Sequence, residues 1–429
     1  MDRRSFLRTA LGGTALSIAA LSEANAEIYR HLKELDQMYP AQQSPDGVYW
    51  NEVKNQFMME EGLTMMNNGT VGPIPKTVLN EFIRWTRVQA ENPYNVYNYL
   101  PTRTDEVRTK IASFIGASLD EVAIVRNTTE GINFVASGLD LNEGDDIVMS
   151  NLEHPSGINP WRLKAKRHKV NIIEFPLGCP AKDVDTIVES FKKVVTPRTK
   201  VLMISHTCFI TGLISPIKEL SEEAHKRGIL VLGDSAHGIG MLNLNLNATG
   251  IDFWASSPYK WLGALPDRGV FYVKKESQER LWPTVVSGGW DGANIGARKF
   301  DRLSQQLDAL TLALGEAIEF NKIIGKERIA RRILTLGSYL RTELAKIPKV
   351  KLHVNDDPYM SAGLTAFSMQ GVNMDYVVNY IREKYDIVIR TIGSNQAGTA
   401  GIRVSTNIYV TMEDINKLLE GIRELASKA

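Results

Sequence analysis

Short apolar runs recur along the chain, and between them lie longer stretches whose apolar residues return every three or four positions. The runs at 121–125, 146–150, 170–175, 200–205, 229–232, 251–255 and 269–273 are too short for helices and mostly apolar rather than alternating. Such runs predict strands buried on both faces of a sheet. Helical spacing occupies 75–90, 104–115, 183–194 and 216–226, and a further helix opens within 126–133. The alternation predicts βαβ units and a mainly parallel, seven-stranded sheet. Beyond it, helices at 307–325 and 327–346 lead to strands at 364–369, 387–392 and 401–404, with helices at 374–384 and 412–426. The expected class is therefore α/β: a large sheet domain over 71–306, then a connecting helix and a smaller α+β domain over 307–429. An N-terminal segment, 27–70, has helical spacing at 27–38 and is expected to pack on the small domain.

The first 26 residues read differently. Asp2-Arg3-Arg4-Ser5-Phe6-Leu7-Arg8 resembles a twin-arginine export signal, and an apolar region from 10 to 21 leads to the A-x-A cleavage site Ala24-Asn25-Ala26. That region is too short to span a bilayer, so no stable membrane anchor is expected. Residues 1–26 are taken as a signal peptide outside the fold, the twin-arginine machinery as the partner in transit, and the periplasm as the destination.

Composition narrows the function classes. A chain of 429 residues, 43% hydrophobic, can fill more than one domain, and 50 Lys and Arg against 49 Asp and Glu give no reason to expect nucleic acid or an anionic membrane as partner. Cys179 and Cys208 are the only cysteines. A periplasmic setting permits a disulfide between them, but Cys208 follows a strand and reads as a buried free thiol. No His/Cys spacing marks a metal site, and no P-loop or G-x-G-x-x-G fingerprint appears.

The chemistry gathers at strand ends. Asp234 stands just past the run 229–232, where open α/β sheets bind ligands, and the run 251–255 ends in a turn that presents Lys260. An amine in a dry site loses its proton readily and bonds to the aldehyde of pyridoxal 5′-phosphate; a carboxylate facing the pyridine nitrogen keeps that nitrogen protonated. Taken singly, each is also an ordinary strand-end acid or solvated lysine. Thr128 and Thr129 put two hydroxyls at the start of a helix, where unpaired N–H groups suit a phosphate, although Thr129 would equally serve as a plain helix cap.

Asp234-Ser235-Ala236-His237, followed by Lys260, resembles the fold-type I pyridoxal phosphate enzymes of aminotransferase class V, which include isopenicillin N epimerases, cysteine desulfurases and kynureninases. The resemblance extends from about Asn67 to Arg403. It implies that Lys260 and Asp234 are catalytic, that His154 stacks on the cofactor ring, and that Thr128, Thr129 and Ser257 hold the phosphate. Tyr259 stands where relatives often carry histidine, and Phe209 where many carry an asparagine beside the ring oxygen. That leaves His237 as the partner of that oxygen and His206 as a less direct neighbour. Arg403 is implied to hold the substrate carboxylate through its planar fork. Asn68 lies in a loop that closes over substrate, and Arg390 is a second candidate whose ordinary use is a surface ion pair. Three tyrosines within 92–99 suit a pocket wall or an interdomain contact. Ser304-Gln305-Gln306 replaces the Gly-Thr with which relatives reach a neighbouring subunit's phosphate, and a homodimer is still expected. No cysteine follows Cys208, so desulfuration, which needs a nucleophilic cysteine there, is not expected. The implied activity is transamination at Cα of an amino acid or amino-containing peptide, with epimerisation as the alternative. A cofactor-binding or peptide-binding protein without turnover is the reading from another class. The chain is also similar to exported enzymes that tailor siderophore peptides such as pyoverdine, which implies a large amino substrate.

Overall fold

The computed structural model describes residues 18–38, 47–355, 357–393 and 400–428. After a two-residue strand β1 (Thr64–Met65), the seven apolar runs form β2 (Val122–Val125), β3 (Asp146–Ser150), β4 (Asn171–Phe175), β5 (Thr199–Ser205), β6 (Leu230–Asp234), β7 (Phe253–Ser256) and β8 (Gly269–Val273). They make one sheet in the order β2-β8-β7-β6-β5-β3-β4. Every pairing is parallel except those of β8, which runs antiparallel to β2 and β7. The reason is local: the link from β7 to β8 holds no helix that could carry the chain back across the sheet, and only an antiparallel return needs none. Apolar clusters cover both faces, one including Ile204, Val231 and Trp254, the other Met149, Met203 and Leu232. Because β2, β3, β5, β6 and β7 share one direction, the segments leaving their C-terminal ends emerge at one edge.

The C-terminal domain has an antiparallel sheet in the order β12-β13-β10-β9, from β9 (Val350–Leu352), β10 (Leu364–Met369), β12 (Arg390–Ile392) and β13 (Gly401–Ser405). The run 387–392 is divided rather than continuous. Ile387–Val388 (β11) pairs in parallel with β1, and the chain changes partners at Ile389. Leu32, Leu35, Trp50 and Val53 share a core with Leu336, Ile402 and Leu418, which sets the N-terminal segment against this domain. Trp261, next to Lys260, is buried in the same core.

At the N-terminus the structure differs from the sequence expectation. A single helix runs Ile18–Met38, through the A-x-A site. Leu21, Asn25, Ile28, Leu32 and Leu35 fall at alternating spacings of four and three, one helical face. Leu21 and Asn25 are buried, and the Asn25 amide donates to the Thr77 carbonyl at 3.1 Å and accepts from Asn80 at 2.9 Å. Residues 18–26 are thus packed in the fold, while the twin-arginine motif at 2–8 lies outside the described residues. Among those residues no helix is long and apolar enough to cross a membrane. Cys208 is a buried free thiol. Tyr94, Tyr97 and Tyr99 stand exposed, whereas Trp161 is wholly buried.

Candidate active site

The shared sheet edge brings Thr128, Thr129, His154, Asp234, His237, Ser257, Tyr259 and Lys260 around one cavity of about 100 Å³. A larger cavity of about 640 Å³ adjoins it, sharing His154 and Phe209 and lined also by Arg390 and Arg403.

One wall is built for an anion. Thr128 begins the helix Thr128–Gly138, whose cap is Asn127, accepting from the Glu130 N–H at 3.1 Å. With that job taken, the Thr129 hydroxyl is not needed as a cap. The hydroxyls of Thr128 and Ser257 lie 2.8 Å apart, and the Thr128 N–H donates to Ser257 Oγ at 3.2 Å. Two hydroxyls and the positive end of an eleven-residue helix converge there.

The opposite end holds the acid. Asp234 closes β6 with its carboxylate buried, accepting from the Ala236 N–H at 3.1 Å. Burial raises its pKa, opposed by that N–H and by the Lys260 and His154 charges. Gly157, on the helix after His154, leaves room for it; a Cβ there would stand 3.2 Å from Asp234 Oδ2. Lys260 is half-buried, and its ammonium is pushed down to about 8, chiefly by desolvation and against the pull of Asp234.

Hydrogen bonds assign the tautomers of two histidines. The Trp261 indole N–H donates to His237 Nδ1 at 3.1 Å, so the neutral ring carries its proton on Nε2, which lies 3.3 Å from Lys260 Nζ. Burial, then the Lys260 charge, hold His237 far below the usual histidine range. The Ser156 N–H donates to His154 Nδ1 at 3.1 Å, again leaving the proton on Nε2. His154 is also held low by burial, and Phe209 meets its ring edge-on with centroids 4.7 Å apart. His206 lies behind the cavity: its Nδ1 takes the Trp254 indole N–H at 3.3 Å, and burial pushes it down to about 4.

Arg403 is buried on β13, donating to the Phe209 carbonyl at 2.9 Å, Asn67 Oδ1 at 3.2 Å and Thr70 Oγ1 at 3.3 Å. Its Nε is buried without a partner, and burial together with Arg390 lowers its pKa to about 10. Asn68 does not line either cavity. It is fully buried and its amide donates to the Lys260 carbonyl at 3.1 Å, so of the two asparagines it is Asn67 that meets Arg403. Arg390 is exposed and meets no carboxylate among the described residues, in place of the surface ion pair expected of it; it donates to Thr70 Oγ1 at 3.2 Å. Gln305 bonds the Tyr97 hydroxyl at 3.2 Å, beside a separate cavity of about 210 Å³ that shares no residue with the other two.

One functional candidate escaped the sequence reading. Glu153 is buried beside His154 and takes hydrogen bonds from Ser150 Oγ, Ser205 Oγ and the Ser205 N–H; desolvation lifts it to about 7. Its signal was an acid directly before the histidine at a strand end.

These residues fit pyridoxal 5′-phosphate: hydroxyls and a helix end for the phosphate, a buried acid for the ring nitrogen, an N–H at His237 for the ring oxygen, and a poorly solvated amine for the aldehyde. Comparison with known families identifies aminotransferase class-V across residues 67–418, and the chain belongs to that family. Isopenicillin N epimerase of Streptomyces clavuligerus is 28% identical over 395 residues, covering 88% of this chain and 99% of the epimerase. Cysteine desulfurase of Enterobacter sp. is 27% identical over 343 residues, 75% of this chain and 82% of that protein. Among solved structures, a C-DES mutant with glycine covalently linked to its PLP cofactor has a TM-score of 0.78 at 23% identity, covering 87% of this chain and 98% of that one, and so has the same fold.

Proposed function

We propose that this pyridoxal phosphate-dependent class-V enzyme is an aminotransferase acting at Cα of an amino acid or an amino-containing peptide. One observation carries the proposal: an amine held near neutrality, Lys260, shares a cavity with a buried acid, Asp234, beside a chamber containing a buried guanidinium, Arg403. Bound pyridoxal phosphate supplies an aldehyde that takes up the substrate amine and a ring that holds an electron pair released at Cα. Thr128, Ser257 and the helix N-terminus bind its phosphate. Asp234 holds a proton at the ring nitrogen; a cation there offsets the burial that now raises the acid's own pKa. His154 would lie against the ring, and the His237 Nε2–H would donate to its oxygen. Arg403 grips the substrate carboxylate, and the Lys260 amine, once free, takes the proton from Cα.

Desulfuration lacks its nucleophile, since neither cysteine lines either cavity and burial raises the Cys208 thiol. Epimerisation shares every step up to proton removal and parts from transamination only in where the proton returns. Both are separated by incubating purified protein with pyridoxal phosphate and single amino acids. Formation of an oxo acid with bleaching of the yellow protein supports transamination; inverted configuration without oxo acid sinks it in favour of epimerisation. Absence of colour in the wild type removes the cofactor assignment altogether. Export to the periplasm belongs to the same proposal and is supported by residues 2–26 alone, the homodimer by the resemblance alone.

A further inference from the structure

We propose that the larger cavity selects amino substrates carrying a second acidic group, and that Arg390 is the side chain that recognises it. This rests on the assignment of Arg403 to the substrate carboxylate. Arg390 Nη1 and Arg403 Nη2 donate to the same oxygen, Thr70 Oγ1, at 3.2 and 3.3 Å, so the two nitrogens are no farther apart than those two bonds laid end to end. Thr70 Oγ1 itself donates to Asn67 Oδ1 at 3.1 Å, which fixes it as the acceptor between two cations. Arg162 also lines the cavity, and its hydrogen bond goes to the neutral Asn159.

Among the described residues none of the three arginines meets a carboxylate. The stretch joining β12 to β13, residues 393–400, contains no acid in its sequence. Glu153, the one acidic residue lining the cavity among the described residues, spends both oxygens on Ser150 and Ser205 and is pushed towards neutrality. Asp234 belongs to the other cavity, opposite Lys260. Positive charge therefore accumulates without an internal partner, and like charges this close repel. One substrate carboxylate offsets one guanidinium; a second acidic group completes the balance. The cavity has the space, about 640 Å³, and Leu152, Ile158 and Ile392 offer apolar walls to the carbon chain between two acids. The recognised class is an amino compound with two anionic ends.

Calorimetry tests this with adipate against hexanoate and glutarate against pentanoate, on protein with and without pyridoxal phosphate. Each diacid is expected to bind roughly tenfold more tightly than its monoacid, the difference one further charge-assisted hydrogen bond makes. Arg390→Gln should bring the diacids to the level of the monoacids while hexanoate still binds, and Arg390→Lys should restore part of the preference. Equal binding of diacid and monoacid by the wild type overturns the proposal. So does an equal loss of both in Arg390→Gln, which would mean that two arginines share one carboxylate. Because binding is read without turnover, a protein that never turns yellow refutes the cofactor assignment and still leaves this comparison decisive.

Discussion

Lys260 shows how much of this chemistry is set by withholding water from a single group. Desolvation outweighs the attraction of Asp234, and the ammonium is pushed from its ordinary 10.5 down to about 8. In cofactor-free protein the rate of colour formation with pyridoxal phosphate should rise roughly tenfold per pH unit below about 8 and level off above it, since only the free amine attacks. Between about 8 and 10.5 the unfolded chain holds a proton that the folded one has lost, so stability rises with pH across that window, and Lys260→Met should flatten the rise. Residue types of this kind were legible in the sequence because Asp234 and Lys260 sit at strand ends that the apolar runs define. Loop side chains were not. Asn67 and Asn68 are neighbours with opposite duties, one reaching Arg403 and the other the Lys260 carbonyl, and nothing in composition distinguishes them. Gly69 carries a further constraint invisible in sequence: a Cβ there would stand 2.9 Å from Arg403 Nη2 and 3.1 Å from Ser405 Oγ. The guanidinium cannot swing aside cheaply, being held by Phe209 and Asn67, so Gly69→Ala should weaken hexanoate binding about tenfold while colour formation persists.

At the scale of elements, periodicity located all seven strands of the large sheet within a residue or two, because strands buried on both faces leave an unbroken apolar signature. It did not reveal that 387–392 serves two sheets, since a change of partner leaves the pattern of burial unaltered. Nor did it reveal how neighbouring strand ends are tied. Glu153 accepts from Ser150 at the end of β3 and from Ser205 at the end of β5, and so fixes the edge on which His154 stands. Its carboxyl, lifted from 4.5 to about 7 by burial, binds a proton in the folded state that the unfolded state has released across that interval. Stability therefore falls as pH rises from about 4.5 to about 7. Glu153→Gln keeps an acceptor for the Ser205 N–H, and its amide can donate to either serine oxygen. The variant should lose this pH dependence and gain on the wild type by about 2 kcal/mol between pH 5 and pH 7, measured by urea unfolding.

For the whole molecule, the question is what the helix Ile18–Met38 contributes, because the sequence marks a cleavage point inside it. Its C-terminal part buries Leu32 and Leu35 in the small-domain core, while Asn25 reaches Thr77, Asn80 and Glu316 on the side of the large domain. The helix thus bridges two bodies whose other direct links include the Ala362 N–H on the Gly212 carbonyl and Arg403 on the Phe209 carbonyl. A chain beginning at Glu27 exposes the pocket of Leu21, worth roughly 2 kcal/mol, and loses the Asn25 hydrogen bonds at about 1 kcal/mol each. Ordering the nine residues 18–26 costs about 1 kcal/mol apiece, of which their helical hydrogen bonds recover a part. The opposing sums nearly cancel, and the buried partner decides the sign: the Thr77 carbonyl loses its side-chain donor in a place water reaches poorly, while Glu316 keeps the Tyr29 hydroxyl. The shortened chain should therefore be less stable by about 1–2 kcal/mol in urea unfolding, and should still form the yellow complex, since among the described residues none before Thr128 lines the cavity that holds Lys260. An unchanged unfolding midpoint would mean that residues 18–26 add nothing to the fold, and loss of colour would mean that the helix holds the two domains in the register the cavity needs.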